Sequence, residues 1–389
     1  LEKKSLIEPI LYAIFVLVGL FFLTLVVLAI VYIAGKIHFV GLIITLVVVL
    51  YVFYVLGLFH FFKTKRRKVV FGSIAGAAII VSSIYPIYHV YTNWIPTVDA
   101  EVNVYEYMPF SDSLKIATLD YDSTWKPTGD LPRLDGATAL YPLYSAFVQA
   151  TYPEREYNPY QSEVMVNTTP DAYSNLIFGK VDMIFAAAPS ESQLKTAKQY
   201  GVELKMTPIG REAFVFFVNQ KNAIDGLTIE QIKDIYSGKV RNWKEVGGAN
   251  EEIRAFQRPA DSGSQSALER LMEDTPIMKA ETEDIASGMG GIIQEVSQYK
   301  NYKNAIGYTF RFYSTEMVQN DKIKLLEIDG VEPTKGTIRS GSYPISSEFY
   351  IVTAETDNPN VEKFIEWILS YQGQELVEKT GYVPLVGQF

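Results

Sequence analysis

Residues 258–265, Arg-Pro-Ala-Asp-Ser-Gly-Ser-Gln, place a fixed cation beside small hydroxyl residues and a glycine where the chain passes from strand to helix. The apolar run Ile253–Phe256 precedes them, and Ser266–Met272 has a helical pattern. A strand, a turn of small residues and a helix start present free backbone N–H groups to an anion. Arg258 at the strand end adds a planar fork suited to a tetrahedral oxyanion.

Two further loops repeat the design. Leu134 ends a strand, Asp135-Gly-Ala-Thr-Ala139 turns, and a helix with Pro142 in its first turn follows. After the strand ending at Asn167, Thr169 reads as an N-cap, Pro170 as the first helical residue and Gly179 as the stop. Ser266 and Glu269 fit a capping box, which would start the third helix there instead of at Ser264. Each loop alone is an ordinary helix cap. Three in one α/β domain, one beside an arginine, point to a shared anion, since ligands of open α/β sheets gather beyond the carboxyl ends of strands.

The absent residue types narrow the chemistry. The 389 residues include no cysteine, so disulfides, thiolate metal sites, cysteine nucleophiles and a lipid anchor on an N-terminal cysteine are not expected. All three histidines, His38, His60 and His89, fall in the first quarter, so no histidine base or ligand serves the rest. Asp261-Ser-Gly-Ser264 superficially resembles a hydrolase nucleophile turn, but Ser262 and Ser264 have no evident base. No catalytic residue, metal or cofactor is therefore expected. The formal net charge of −9 argues against a nucleic-acid partner. Glu281, Glu283 and Asp284 read as a solvated face instead of a calcium site. Ser287–Gly291 lacks the context of a nucleotide loop and reads as a turn. Trp243 and Tyr236 read as core.

The elements that position these residues begin with a membrane region, 1–95. Apolar runs at about 10–34, 39–62 and 69–91 are long enough to span a bilayer, and a cleaved signal peptide is not expected with two more spans following. The basic loop Lys63–Lys68 predicts a cytoplasmic side, with Lys3 and Lys4 also inside and the C-terminal domain extracytoplasmic. Residues 96–130 read as a linker. From 131 to 385 strands alternate with helices: strands at Leu131–Leu134, Glu163–Asn167, Met183–Ala186, Ala213–Asn219 and Ile253–Phe256, and helices at Leu140–Thr151, Asp171–Phe178, Ile229–Ser237, Gln265–Met272, Val361–Ser370 and Gln372–Lys379.

Over about residues 130–385 this domain resembles the phosphate-binding receptors of bacterial ABC phosphate importers. The stretches that carry the resemblance are Gly136-Ala-Thr138, Val181–Pro189, Ala213–Asn219, Leu227–Gly238 with Asn242-Trp243, Ala305–Tyr308 and Tyr343–Ser346. The resemblance implies a two-lobed, periplasmic-binding-protein type II-like fold behind three transmembrane helices. It places lobe 1 at about 131–212 plus 345–385 and lobe 2 at about 213–344. It implies a phosphate ligand, ABC permease partners and a lipid bilayer, with sulfate or molybdate as the alternative oxyanions, and a sensor without transport as another reading. Thr138 and the N–H of Ala139 would bind from one lobe, with Thr169 in place of a family serine; Arg258, Ser262, Gly263 and Ser264 would bind from the other. The family places an aspartate two residues before Pro189 to accept the phosphate proton, and this chain has Ala187 there. Asp135 or Asp261 takes over that role, or each is a surface turn residue.

Overall fold

The computed structural model describes residues 7–94, 102–112, 115–279, 302–319 and 321–385. Lys3, Lys4, Glu281, Glu283, Asp284 and the turn at 287–291 lie outside the described residues. The chain divides into two compact units, Leu1–Pro96 and Thr97–Phe389.

In the first unit, α1 (Ile7–Ile33), α2 (Val40–Leu58) and α3 (Lys65–Trp94) are each long and apolar enough to cross a membrane. The 27 residues of α1 extend about 40 Å at 1.5 Å per residue, against a hydrocarbon core of roughly 30 Å. Large apolar side chains such as Phe15 and Ile33 are exposed along these helices. Their hydroxyls bond to the carbonyl one turn back, Thr24 to Leu20, Thr45 to Gly41 and Ser83 to Ile79, and so need no water. α2 stops earlier than expected because His60 takes a left-handed conformation. α3 starts earlier, inside the basic cluster, where Thr64 accepts the Arg67 N–H.

The second unit contains β1 (Leu134–Gly136), α4 (Tyr141–Thr151), α5 (Thr169–Ile177), β2 (Met183–Ala186), α6 (Glu191–Gln199) and β3 (Lys205–Asn219). β4 (Gly226–Leu227), α7 (Ile229–Tyr236), β5 (Arg254–Ala255), α8 (Gly263–Met272), β6 (Ala305–Phe310), β7 (Ile323–Leu325) and β8 (Glu327–Ile328) follow. The described elements end with α9 (Lys335–Arg339), β9 (Ser346–Thr353), α10 (Asn360–Leu369) and α11 (Tyr371–Thr380). The main sheet has the order β1-β2-β9-β3-β6-β5, with β7 also on β3.

β3 is the strand both lobes share. Its first part, Lys205 to Ala213, pairs antiparallel with β9, and Phe214 to Val218 pairs antiparallel with β6. Sequence pattern marks only the second part as strand, because Lys205–Glu212 carries charges and a proline in place of an apolar run. Pairing with β9 makes it strand regardless of propensity. At the bulge between Pro208 and Gly210 the Phe349 ring closes in, and a Cβ on Gly210 would meet it at 2.4 Å. Phe147, Phe185, Phe364 and Trp367 centre the core of the first lobe, and Phe216, Tyr236, Trp243 and Leu268 that of the second. Trp243 and Tyr236 are core residues, as expected, with the indole N–H of Trp243 bonded to the Asn304 carbonyl at 2.9 Å.

Three sequence expectations change. Residues 96–130, expected as a linker, form in their described part a strap on the first lobe. Val104, Tyr107 and Ile116 are buried in its core, Trp125 stacks on Phe364, and Gln372 accepts from the Thr124 N–H and hydroxyl, both at 2.8 Å. These anchors are spaced irregularly and leave no period to read. The expected strand at Glu163–Asn167 is reduced to the isolated bridges Leu134–Val164 and Ala137–Asn167. α6 was not expected, although its capping box, Ser190 with Gln193, is present in the sequence.

Candidate functional site

Three helix starts meet at one cavity of about 70 Å³. Pockets for drug-sized ligands hold roughly 300–1,000 Å³, so this one suits an ion of a few heavy atoms. Thr138 and Ala139 line it from the turn into α4, Thr169 from α5, and Arg258, Ser262, Gly263 and Ser264 from the loop into α8. The structure thus brings together seven of the nine residues expected from sequence.

Which hydroxyl caps each helix decides which is left to face the cavity. Thr168, not Thr169, is the N-cap of α5: its Oγ1 accepts the Asp171 N–H at 3.4 Å and donates to the Asp171 carboxylate at 2.7 Å. Thr169 becomes the first helical residue, with its hydroxyl free of capping duty. In α8 the cap is Ser262, which accepts the Gln265 N–H at 3.3 Å, so the expected starts at Ser264 and Ser266 are both displaced. The capping hydroxyl is used as an acceptor and keeps its proton for a ligand. The first N–H groups of each helix have no intrahelical partner, and each N-terminus carries about half a positive charge.

Arg258 is fixed through its backbone N–H, which donates to Gln265 Oε1 at 3.1 Å and to the Tyr308 hydroxyl at 2.9 Å, while Tyr308 in turn donates to Gln265. Its Nε is buried with no hydrogen-bond partner among the described residues. An unpaired buried guanidinium N–H is costly, and an oxyanion in the cavity would satisfy it.

Asp135 and Asp261, the expected carboxylate candidates, do not line the cavity. Asp135 is fully buried, and its oxygens accept from the Gly136 N–H at 2.8 Å, Asn167 Nδ2 at 2.9 Å and Asn175 Nδ2 at 2.8 Å. Burial pushes its pKa up, against the pull of these donors. It is a brace that ties β1 to both ends of the Thr169 segment. Asp261 holds a left-handed conformation, φ 62°, and its carboxylate accepts from Ser190 Oγ at 2.6 Å while its carbonyl accepts from Gln193 Nε2 at 3.2 Å. Ser190 and Gln193 begin α6 of the first lobe, so Asp261 joins the two lobes beside the cavity. Gly263 lies close to the same lobe, since a Cβ on it would stand 3.3 Å from Thr169 Oγ1 and 3.6 Å from Ala187 Cβ.

Among the described residues, the carboxylates that line the cavity are Glu212 of β3 and Glu348 of β9. Glu212 is buried, and its pKa is pushed up to about 7 by burial, opposed by two backbone N–H donors and by Arg311. Sequence reading missed it because the strand was begun one residue later, at Ala213. No signal in the sequence marks it, because glutamate is rarely buried unless paired and Glu212 stands beside Arg211 as an ordinary polar strand edge would. Tyr382 was also missed: it lines the cavity, stacks on Phe312 at 4.2 Å and donates its hydroxyl to the Ala139 carbonyl. No group of acidic or histidine side chains that could hold a metal ion occurs among the described residues.

A family model described as the PBP superfamily domain matches residues 122–372. The chain belongs to the PBP superfamily. This PBP-superfamily chain is 26% identical over 260 residues to the phosphate-binding protein PstS of Borreliella burgdorferi, across 65% of this chain and 89% of that protein. It is 29% identical over 224 residues to the phosphate-binding protein PstS of Staphylococcus saprophyticus, across 56% of this chain and 69% of that one. Among solved structures it is similar to a putative phosphate ABC transporter substrate-binding protein with bound phosphate from Clostridium perfringens. That likeness has 26% identity and a TM-score of 0.49, over 65% of this chain and 98% of that one. Each of the relatives named here is called a binding protein.

Proposed function

We propose that this protein is an extracytoplasmic, membrane-tethered receptor that binds inorganic phosphate between its two lobes and delivers it to ABC permease subunits. One observation carries the reading: a cavity of ionic size lined by three helix starts and by Arg258, whose buried Nε has no partner among the described residues. The names of its relatives favour phosphate among the oxyanions. Thr138, Ala139 and Thr169 bind from the first lobe and Arg258, Ser262, Gly263 and Ser264 from the second, with the lobes at about 131–212 plus 345–385 and 213–344. The basic run Lys63–Lys68 puts the loop between the second and third helices in the cytoplasm, and the binding domain outside. Charge-assisted hydrogen bonds offset the desolvation of the ion.

Sulfate or molybdate is the second reading, favoured by Ala187, which leaves the cavity without a carboxylate at that position. Isothermal titration of the full chain in lipid nanodiscs with phosphate, sulfate and molybdate separates them. Phosphate is expected to bind most tightly. Heat with sulfate or molybdate and none with phosphate would sink the phosphate assignment.

A further inference from the structure

We propose that Glu212 is the proton acceptor of this site, so that a carboxylate on the shared strand β3 makes the cavity select oxyanions that keep an O–H. This rests on the phosphate reading above and names the residue that would enforce it. Glu212 lines the same cavity as the three donor loops, on the stretch of β3 where Glu212 pairs with Ser347 of β9. Its Oε1 accepts the Ala213 N–H at 2.8 Å and its Oε2 the Phe312 N–H at 3.0 Å. Each carboxylate oxygen offers two acceptor positions, so both retain one, and the two backbone bonds fix the group in place.

The charges around it are Arg311 and Glu316 on the segment after β6, Tyr382 against Phe312, and Arg258 and Glu348 at the cavity. Arg311 pairs with Glu316 at 3.1 Å and also draws on Glu212, so the buried carboxylate is compensated by its two backbone donors and by this shared guanidinium. Glu348 is a poorer reader of protons. It is half-exposed and already near the Tyr350 hydroxyl at 3.3 Å, so water screens its charge.

An ionised buried carboxylate only accepts, and it repels an ion that has no proton to offer. Phosphate keeps at least one O–H at neutral pH, while sulfate keeps none. The sign of the pH dependence follows. Burial pushes Glu212 up to about 7, so above that pH it is ionised and excludes sulfate. Below it the carboxyl carries a proton, becomes a donor, and the exclusion is relaxed.

The test uses the full chain in lipid nanodiscs, with titrations of phosphate and of sulfate at pH 6 and pH 8. Sulfate does not titrate in this range, so its affinity for the wild type is expected to tighten by about tenfold from pH 8 to pH 6. Glu212→Gln, which keeps the shape and removes the charge, is expected to bind sulfate at pH 8 at least tenfold more tightly than the wild type and with no pH dependence. A Glu212→Gln protein with the wild-type phosphate-over-sulfate ratio at pH 8 would overturn the assignment. So would a wild type that binds sulfate as tightly as phosphate at pH 8, a result that needs no variant to fold. Wild type that gives no heat with phosphate removes the receptor reading itself, a result distinct from either.

Discussion

Asp261→Gly removes one interaction between the lobes and little else. The residue has φ 62°, a conformation glycine takes without strain. What is lost is the bond from Ser190 Oγ to the carboxylate at 2.6 Å, while the Gln193 bond to the Asp261 carbonyl is a backbone contact and stays. A hydrogen bond to a charged group contributes about 1.5–3 kcal/mol. Asp261 is only half-buried, so solvent screening reduces this to about 1–2 kcal/mol. The bond can form only with the lobes together, so its loss moves the closure equilibrium and appears as weaker ligand binding. At 1.4 kcal/mol per factor of ten, the phosphate Kd should rise roughly 5- to 30-fold. Thermal unfolding without ligand should change by less than the equivalent of about 1 kcal/mol, the entropic cost of the added glycine. Ser190→Ala is the poorer probe because the same hydroxyl caps α6, accepting the Gln193 N–H at 3.1 Å. Asp261→Asn keeps an acceptor without the charge and should fall between. Titration calorimetry on the full chain reads the effect, and a Gly variant that binds phosphate within twofold of wild type would refute the reasoning.

Two further perturbations separate the site from its support. Gly263→Ala puts a methyl 3.3 Å from Thr169 Oγ1; phosphate affinity should fall about tenfold while ligand-free melting changes little, since position 263 is the first residue of α8 and outside the helix interior where glycine is costly, and unchanged affinity would show that the loops do not close this tightly. Deleting residues 97–130 uncovers the sites filled by Val104, Tyr107 and Ile116; burial of three such side chains contributes on the order of 5 kcal/mol, so chemical denaturation should show a domain close to unfolding, and wild-type stability would mean that the strap is dispensable.

The donors were legible in the sequence because they follow local rules. A strand end, a small-residue turn and a helix start sit within a few residues of one another, and Thr138, Thr169, Arg258 and Ser262 all obey that grammar. The error of one residue at Thr168 and the larger one at Ser266 arise because several adjacent hydroxyls satisfy the capping preference equally, and only backbone geometry chooses among them. The strap, the first half of β3 and the role of Asp135 were not legible. Each depends on partners far along the chain: Phe364 and Gln372 for the strap, β9 for Lys205–Glu212, and Asn167 with Asn175 for Asp135. Composition there gives no period, and the sequence shows a polar stretch where tertiary pairing makes a strand or a brace.

The position of the acidic group changes what the site can couple. An acceptor next to Pro189 would belong to the first lobe alone, on the loop that leads to α6. Glu212 belongs to the strand that both lobes share, paired with Ser347 behind it and bonded to the Phe312 N–H at its side. Neither partner lies on the donor loops, so the carboxylate is held independently of them, and in the proposed closure the α4, α5 and α8 starts come to it. That ordering lets the proton on an incoming ion be read before closure is complete. An ion without a proton meets a fixed negative charge first and gains Arg258 and the helix starts only after paying that repulsion. On this geometry discrimination should appear mainly in the association step, so stopped-flow mixing of sulfate at pH 8 is expected to show slower binding to wild type than to Glu212→Gln, with similar rates of release.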